Sequence, residues 1–156
     1  MVDTGFASFS ATVDKTNRVL RQIEEAFGWP KERRNQSYAA LRAVLHGVRD
    51  RLTVDEAAHV GAQLPMLIRG IYYDGWDPSG VPQKMSADEF LQRVRREFPF
   101  SINDSTENLV HTVTGALRHH ISSGEWHDVI STLPKEFTSV LSQPADRADR
   151  VEDPSR

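Results

Sequence analysis

Residues 41–65 read LRAVLHGVRDRLTVDEAAHVGAQLP, and the chain carries a second stretch that is similar to this one. Residues 110–134 read VHTVTGALRHHISSGEWHDVISTLP and align with it without a gap, with six of 25 positions identical. Ordinary residue frequencies would give about one or two identities by chance. Upstream, VLRQIEEAF at 19–27 matches FLQRVRREF at 90–98. The sequence therefore predicts two copies of one structural unit.

Each copy has the pattern of a helical unit. TVDE at 53–56 and SSGE at 122–125 are capping boxes, in which a hydroxyl and a glutamate together satisfy the first amides of a helix. A Leu-Pro step follows each of these helices and predicts a break, then a short helix at about 65–72 and 134–141. Apolar residues at helical spacing mark the buried faces of the other helices: Val19, Leu20, Ile23, Phe27, Leu41, Val44, Leu45, Val48 and Leu52 in copy one, and Phe90, Leu91, Val94, Phe98, Val110, Val113, Leu117 and Ile121 in copy two.

The predicted fold is all-α, a helical bundle of about six to eight helices built from two tandem, similar halves. A half of roughly 70 residues would be only marginally stable alone, because so short a chain buries little apolar surface. We therefore expect the halves to pack together as one domain over residues 14–142. The predicted segments are a loose N-terminus at 1–13, half one at 14–73, an aromatic connector at 73–85, half two at 86–142, and a disordered tail of acidic and basic residues at 143–156.

Composition limits the function classes. The chain has 156 residues, no cysteine, a net charge of -3 and a pI near 6.1. Disulfides and thiolate metal sites are thereby excluded, and a surface for nucleic acid or anionic lipid would need a clear basic excess. The sequence shows no signal-peptide pattern and no apolar run of membrane-spanning length, so a soluble, cytoplasmic protein is expected.

The connector opens with YYDGWDP at 72–78, which gathers three aromatic residues in one turn. Aromatic side chains in such a place either cover the seam between two packed units or form an exposed anchor for a partner. Both interpretations stay open for the candidate partner-binding residues, of which Trp76 is expected to be buried and Tyr73 to be the more exposed: Tyr72, Tyr73 and Trp76.

Nucleic-acid binding is the alternative function, because arginines cluster before the second helix and on the helix that opens copy two. These arginines alternate with acidic residues, which is typical of ordinary solvated helix faces, so nucleic acid is an improbable partner. A further set, Arg42, His46 and Arg49, is predicted to line a solvated polar side of the second helix. The candidate nucleic-acid-binding residues are Arg33, Arg34, Arg93 and Arg96.

Metal and catalytic sites find little support in the sequence. Glu56 and His59 have the Glu-x-x-His spacing of di-iron bundles, but the second copy offers Glu125 and Asp128 instead, and the capping boxes already explain both glutamates. No nucleophile elbow or phosphate-binding loop is present. We therefore expect no metal, no cofactor and no catalytic residue. The histidines considered as zinc ligands and set aside are His119, His120 and His127.

The chain also resembles a known family, the bacterial domain of unknown function DUF2267. The resemblance covers roughly residues 14–141 and depends on the Gln63-Leu64-Pro65 step, Arg69-Gly70, the YYDGW turn at 72–76, the helix around Phe90, and the second Leu-Pro step at 133–134. It implies a small helical bacterial protein and brings no activity, cofactor or catalytic residue. The predicted function is a non-catalytic helical interaction module that binds a protein partner or self-associates.

Overall fold

The computed structural model of the chain describes residues 5–141, and these residues form an all-α bundle without a strand. The predicted fold class is therefore confirmed. Two short 3-10 turns lie at Lys31–Arg33 and Pro78–Gly80. The described helices are α1 (Ala7–Phe27), α2 (Arg34–Arg51), α3 (Val54–Ala62), α4 (Met66–Tyr73), α5 (Ala87–Glu97), α6 (Thr106–Arg118), α7 (Ser123–Thr132) and α8 (Lys135–Leu141).

The predicted helix starts are confirmed at the atomic level. Thr53 and Ser122 accept hydrogen bonds from the backbone N–H three residues on, and the glutamate there accepts from the backbone N–H of the cap, which completes a capping box in each case. Ser86 begins α5 in the same way. The Leu-Pro steps end α3 and α7, and short helices follow as α4 and α8, each within one residue of its predicted start.

Helix α2 occupies the centre of the bundle. All of its residues from 43 to 50 are buried, and it packs against α1, α4, α5 and α6. The approach of α5 is close, since a Cβ atom at Gly47 would lie 2.7 Å from a ring carbon of Phe90. Phe90 in turn meets Phe137 of α8 edge to face, with ring centroids 5.1 Å apart. The core thus joins elements from both sides of the connector.

The boundaries of the N-terminal segment and of the two halves differ in how they compare with the predictions. Residues 7–13 belong to α1, so the predicted loose N-terminus of 1–13 is wrong over that range, while residues 1–4 and the predicted tail at 143–156 lie outside the described residues. Four helices precede the connector and four follow it in the described chain. That the two sets of four superimpose stays a prediction.

Candidate functional site

The first residue of the aromatic turn, Tyr72, is part of the core. Its side chain is completely buried, and its hydroxyl donates to the backbone carbonyl of Ala57 in α3 at 2.9 Å. Burial raises the pKa of Tyr72 far above the ordinary value. A residue without any exposed surface makes no direct contact with a partner, so its role is to hold α4 against α3.

Tyr73 and Trp76 continue the same row of rings. The centroids of Tyr72 and Tyr73 are 4.9 Å apart and those of Tyr73 and Trp76 are 5.3 Å apart. Both side chains are half-buried, so Tyr73 is less exposed and Trp76 is less buried than the sequence suggested. Tyr73 packs over Gly61 of α3, where a Cβ atom would lie 2.5 Å from its hydroxyl oxygen. These ring contacts join the end of the first half to the connector, and they support a packing role for the turn.

A buried charge network on α2 fixes the backbone at this turn. Arg49 is only 3% exposed, and its Nη1 donates to the carbonyls of Tyr72 and Asp74, both at 2.9 Å. Its remaining donors meet the carboxylate of Asp50 at 2.7 and 3.1 Å, and Arg93 of α5 reaches the same carboxylate at 2.6 Å. The prediction of a solvated polar face on α2 is therefore wrong at Arg49.

This network has a clear physical purpose. The last carbonyls of a helix have no partner within the helix, and cations are favourable there. Arg49 supplies that cation to the end of α4. Burial alone would raise the pKa of Asp50, but hydrogen bonds from Arg49 and Arg93 bring the pKa below its usual value, so Asp50 is charged and balances the two arginines. The connector is attached to the same point, because the Gln83 N–H donates to the Asp50 carbonyl at 2.7 Å.

Two of the four arginines proposed for nucleic acid have structural partners. Arg34 makes a two-pronged ion pair with the buried carboxylate of Glu24, at 3.1 and 3.2 Å. Arg93 reaches the buried aspartate just described and is largely enclosed, with 13% of its side chain exposed. The other two, on the surface of the first 3-10 turn and of α5, are Arg33 and Arg96.

The residues considered as metal ligands are engaged or dispersed. Glu56 and Glu125 belong to capping boxes, and His59 and Asp128 are exposed on their helices. His119 pairs through Nδ1 with the side-chain amide of Gln22, while His120 is half-buried and His127 is exposed. Over residues 5–141 no three His, Asp or Glu side chains are grouped so as to hold a metal ion.

An exposed apolar surface lies where α1 and α4 begin, and sequence reasoning missed it. We call it the apolar face; its large side chains are Phe6, Phe9, Met66 and Leu67, which are 56%, 51%, 55% and 39% exposed. The backbone N–H of Leu67 donates to the hydroxyl of Thr12 at 2.8 Å, which joins the two helices. The apolar face was overlooked because residues 1–13 were predicted to be loose. The spacing of Phe6, Phe9 and Val13 was the available signal of a helix there.

A polar cleft opens on the other side of α2. We call it the α2 cleft; it has a volume of about 300 Å³ and is lined by Tyr38, Ala39, Arg42, Ala43, His46 and Glu97. Most of its walls come from one face of α2, since positions 38, 42 and 46 are four residues apart. Glu97, from the last turn of α5, forms the opposite wall.

His46 is the buried residue of the α2 cleft. It is 6% exposed, and its Nε2 donates to the carbonyl of Ile71 at 2.8 Å. Burial, and then the nearby cations Arg49 and Arg42, lower the pKa of His46, so the ring is neutral near pH 7. Arg42 forms an ion pair with Asp74 at the edge of the connector. The prediction that His46 is solvated is wrong, whereas Arg42 is only half-buried.

A small apolar cavity lies between helices from before and after the connector. Its volume is about 40 Å³, and its lining includes Val48 and Val60 from before the connector and Leu117 and Trp126 from after it. No polar surface lines this cavity, so it is a gap in the packing between α2, α3, α6 and α7.

No helix within residues 5–141 combines the length and the apolar character that crossing a membrane requires.

Among curated proteins, no sequence matches the chain. A family described as "Uncharacterized conserved protein (DUF2267)" matches residues 16–140, which is most of the chain and includes the aromatic turn, the α2 network and both Leu-Pro steps. The resemblance that the residues indicated is thereby confirmed, and the chain belongs to the DUF2267 family.

Proposed function

We propose that this chain is a non-catalytic protein-binding module of the cytoplasm and that it binds its partner through the apolar face. The exposure of Phe9 and Met66, each more than half accessible, is the observation that carries the proposal. The rings of Phe6 and Phe9 touch edge to face, and large exposed apolar side chains grouped on a surface are typical of interaction sites. Phenylalanine and methionine are also side chains that interfaces favour as anchors.

The surroundings of the apolar face define the chemistry of the partner. Residues 5–13 read GFASFSATV and contain no charged side chain. A charged partner surface would therefore lose water there without gaining an opposite charge. The partner we propose presents an uncharged, apolar strip, such as one face of an amphipathic helix.

The apolar face is also held in one shape. The bond from Leu67 to Thr12 joins the two helices, and the Arg49 network fixes the far end of α4. A surface that is already ordered loses less conformational entropy when it binds. The aromatic turn at Tyr72, Tyr73 and Trp76 therefore supports the binding surface indirectly, by positioning α4.

Site-specific photocrosslinking tests the proposal. A photoreactive phenylalanine analogue is placed at Phe9 in the full chain, and at Tyr38 as the matched control, since Tyr38 is an exposed aromatic residue on α2. We expect position 9, and not position 38, to crosslink one protein in cells of the native host. The purified partner should then bind the parent chain in solution, and the double substitution Phe9→Ser and Met66→Ser should weaken binding at least about tenfold.

The same variants decide whether the partner is a second copy. Sedimentation velocity over a range of concentrations would show self-association of the parent chain, and the double variant would abolish it if the apolar face is responsible. The proposal fails if position 9 yields no crosslinked protein, or if partner binding is equally strong with the double variant. The nucleic-acid alternative has less support, since Arg34 and Arg93 pair with buried carboxylates and leave Arg33 and Arg96 as its exposed arginines.

A further inference from the structure

We propose that the α2 cleft is a binding site for a small zwitterion of the α-amino-acid class. In this site the ligand ammonium is held by Nδ1 of His46 and the carboxylate of Glu97, and the ligand carboxylate by Arg42 and the hydroxyl of Tyr38. This inference is independent of the apolar face and goes beyond the proposed function. It starts from the ring of His46, because that ring is the most buried polar group of the cleft.

The hydrogen bond to Ile71 determines what His46 can do. A backbone carbonyl only accepts, so Nε2 must carry the proton that bridges the 2.8 Å to the Ile71 oxygen. A neutral ring with its proton on Nε2 has a lone pair on Nδ1. Within residues 5–141 no donor meets that lone pair, although the ring lines the cleft. An acceptor without a donor from the protein takes its hydrogen bond from solvent or from a ligand.

Glu97 supplies a second acceptor and a negative charge. One of its oxygens receives a long hydrogen bond from Nε of Arg93 at 3.3 Å, and 37% of the side chain is exposed. Nδ1 of His46 and the carboxylate of Glu97 therefore line the same cleft as acceptors. A protonated amine, with several N–H donors in one group, satisfies both at once.

Arg42 and Tyr38 supply the donors on the other side. The guanidinium of Arg42 has five N–H groups; its ion pair with the exposed Asp74 runs through Nη1, and the guanidinium also interacts with the hydroxyl of Tyr38. Tyr38 lies one helical turn earlier on the same face of α2 and is 39% exposed. Together they present charge-assisted and neutral donors, which is the arrangement that binds a carboxylate.

The size and the charge of the α2 cleft both suit such a ligand. A volume of about 300 Å³ is at the lower end of small-molecule pockets. The alanines at 39 and 43 leave this space open, because larger side chains there would fill it. Its lining contains one permanent cation, Arg42, and one carboxylate, Glu97, beside the neutral His46. A ligand with both charges and no net charge complements this lining, whereas a simple anion or cation meets one unfavourable charge.

The pH dependence of binding follows from the same geometry. Protonation of His46 would place a proton on Nδ1 and turn the acceptor into a donor that repels an ammonium group. Burial and the cations Arg49 and Arg42 keep the pKa of His46 below its ordinary value, so binding is retained at neutral pH and lost as the pH falls through that lowered pKa. The charged or titratable groups that face His46 are Tyr38, Arg42 and Arg49 on α2, Asp74 in the connector, and Arg93 and Glu97 on α5.

Titration of the full chain by NMR tests the inference. Each common L-α-amino acid is added to ¹⁵N-labelled protein, and the Nδ1 resonance of His46 is followed together with the backbone amides around the cleft. We expect at least one amino acid to shift the Nδ1 resonance saturably, with a Kd of about 1 mM or tighter. The same compound with its amine acetylated and its carboxylate amidated should not bind.

Two substitutions in the cleft separate ligand binding from folding. Glu97→Gln removes the charge that holds the ligand ammonium and should weaken binding at least about tenfold. Arg42→Gln removes the charge that holds the ligand carboxylate and should weaken binding by a similar factor. Glu25→Gln, an exposed change on α1, is the matched control and should bind like the parent chain. Thermal melting of each variant shows whether it is folded. For the parent chain, affinity should fall as the pH is lowered from 7 through the lowered pKa of His46.

The inference is overturned if no amino acid gives a saturable shift up to about 10 mM, a concentration well above the expected Kd. It is equally overturned if the blocked compound binds as well as the free amino acid, or if folded Glu97→Gln and Arg42→Gln variants keep the affinity of the parent chain. Failure of these experiments would leave the apolar face and its crosslinking test unaffected.

Discussion

Arg49 shows how one buried side chain can hold the end of a helix in place. It donates to two carbonyls at the end of α4 and to the carboxylate of Asp50, while itself 3% exposed. Replacing one member of a buried ion pair leaves the other groups without their partner, which typically costs about 3–5 kcal/mol. We expect Arg49→Met to lower the free energy of unfolding by that amount in denaturant titrations. Arg33→Met, on an exposed arginine, should change it by less than about 0.5 kcal/mol.

Asp50 gives the stability of the protein a defined dependence on acid. Its pKa in the folded chain is below the value of about 3.9 that it has when unfolded, because Arg49 and Arg93 stabilise the charged form. A carboxyl group with a lowered folded pKa stabilises the fold above its unfolded pKa, and this contribution is lost as the pH falls through the folded value.

We therefore expect the free energy of unfolding to fall as the pH is lowered from about 5 through the lowered pKa of Asp50. In Asp50→Asn that decline should be shallower, and the variant should be less stable than the parent chain at pH 7. The measurement is urea unfolding at a series of pH values. Equal acid sensitivity of the two proteins would show that Asp50 does not contribute in this way.

At the scale of the element, the distance between α2 and α5 depends on a glycine. A Cβ atom at Gly47 would approach a ring carbon of the fully buried Phe90 to 2.7 Å, whereas a Cβ atom at Gly70 of α4 would meet nothing within 4 Å. Both glycines are inside helices, where alanine is favoured by about 0.5–1 kcal/mol. The two positions are thus a matched pair that differs in available space.

We expect Gly47→Ala to destabilise the protein by about 1–3 kcal/mol, since overpacking in a core outweighs the gain in helix propensity. Gly70→Ala should instead stabilise it by up to about 1 kcal/mol. Chemical denaturation of both variants beside the parent chain measures the difference. A stabilised Gly47→Ala variant would show that α5 can move away from α2 at little cost.

The elements also show which features the sequence could predict. Thr53 and Ser122 were identified as helix caps because a capping box depends on residues three positions apart, and a single sequence is enough to show such a local pattern. The sequence did not predict the start of α1 or the burial of His46 and Arg49, because these features depend on which other elements pack nearby. Identity of Arg49 and Arg118 in the repeated stretches was the one signal that position 49 is more than an ordinary surface arginine.

The candidate sites divide in the same way. The aromatic turn was found from composition alone, but its burial at Tyr72 depends on the position of α3, some 15 residues away. The apolar face and the α2 cleft each join residues from two helices, and neither has a contiguous motif. Sequence periodicity describes the faces of single helices, so a site made by the meeting of two faces requires their packing to be known.

At the scale of the whole molecule, packing across the connector predicts a single unfolding transition. Helix α1 packs against α6, α2 against α5 and α6, and α3 against α7, so each of these contacts joins residues from before the connector to residues after it. Residues 1–80 alone would lose all of them and expose much of α2. Even a complete domain of that length buries so little apolar surface that it is only marginally stable.

We therefore expect residues 1–80, produced alone, to show no cooperative thermal transition in circular dichroism. Mixing that fragment with residues 81–156 should restore helix content and a sharp melt, because the buried faces of α2 and α5 then meet again around Gly47 and Phe90. The full chain should melt in one transition, with equal calorimetric and van't Hoff enthalpies. If residues 1–80 melted sharply alone, the first half would have a sufficient core of its own. The contacts across the connector would then join two independent folding units and would not complete one.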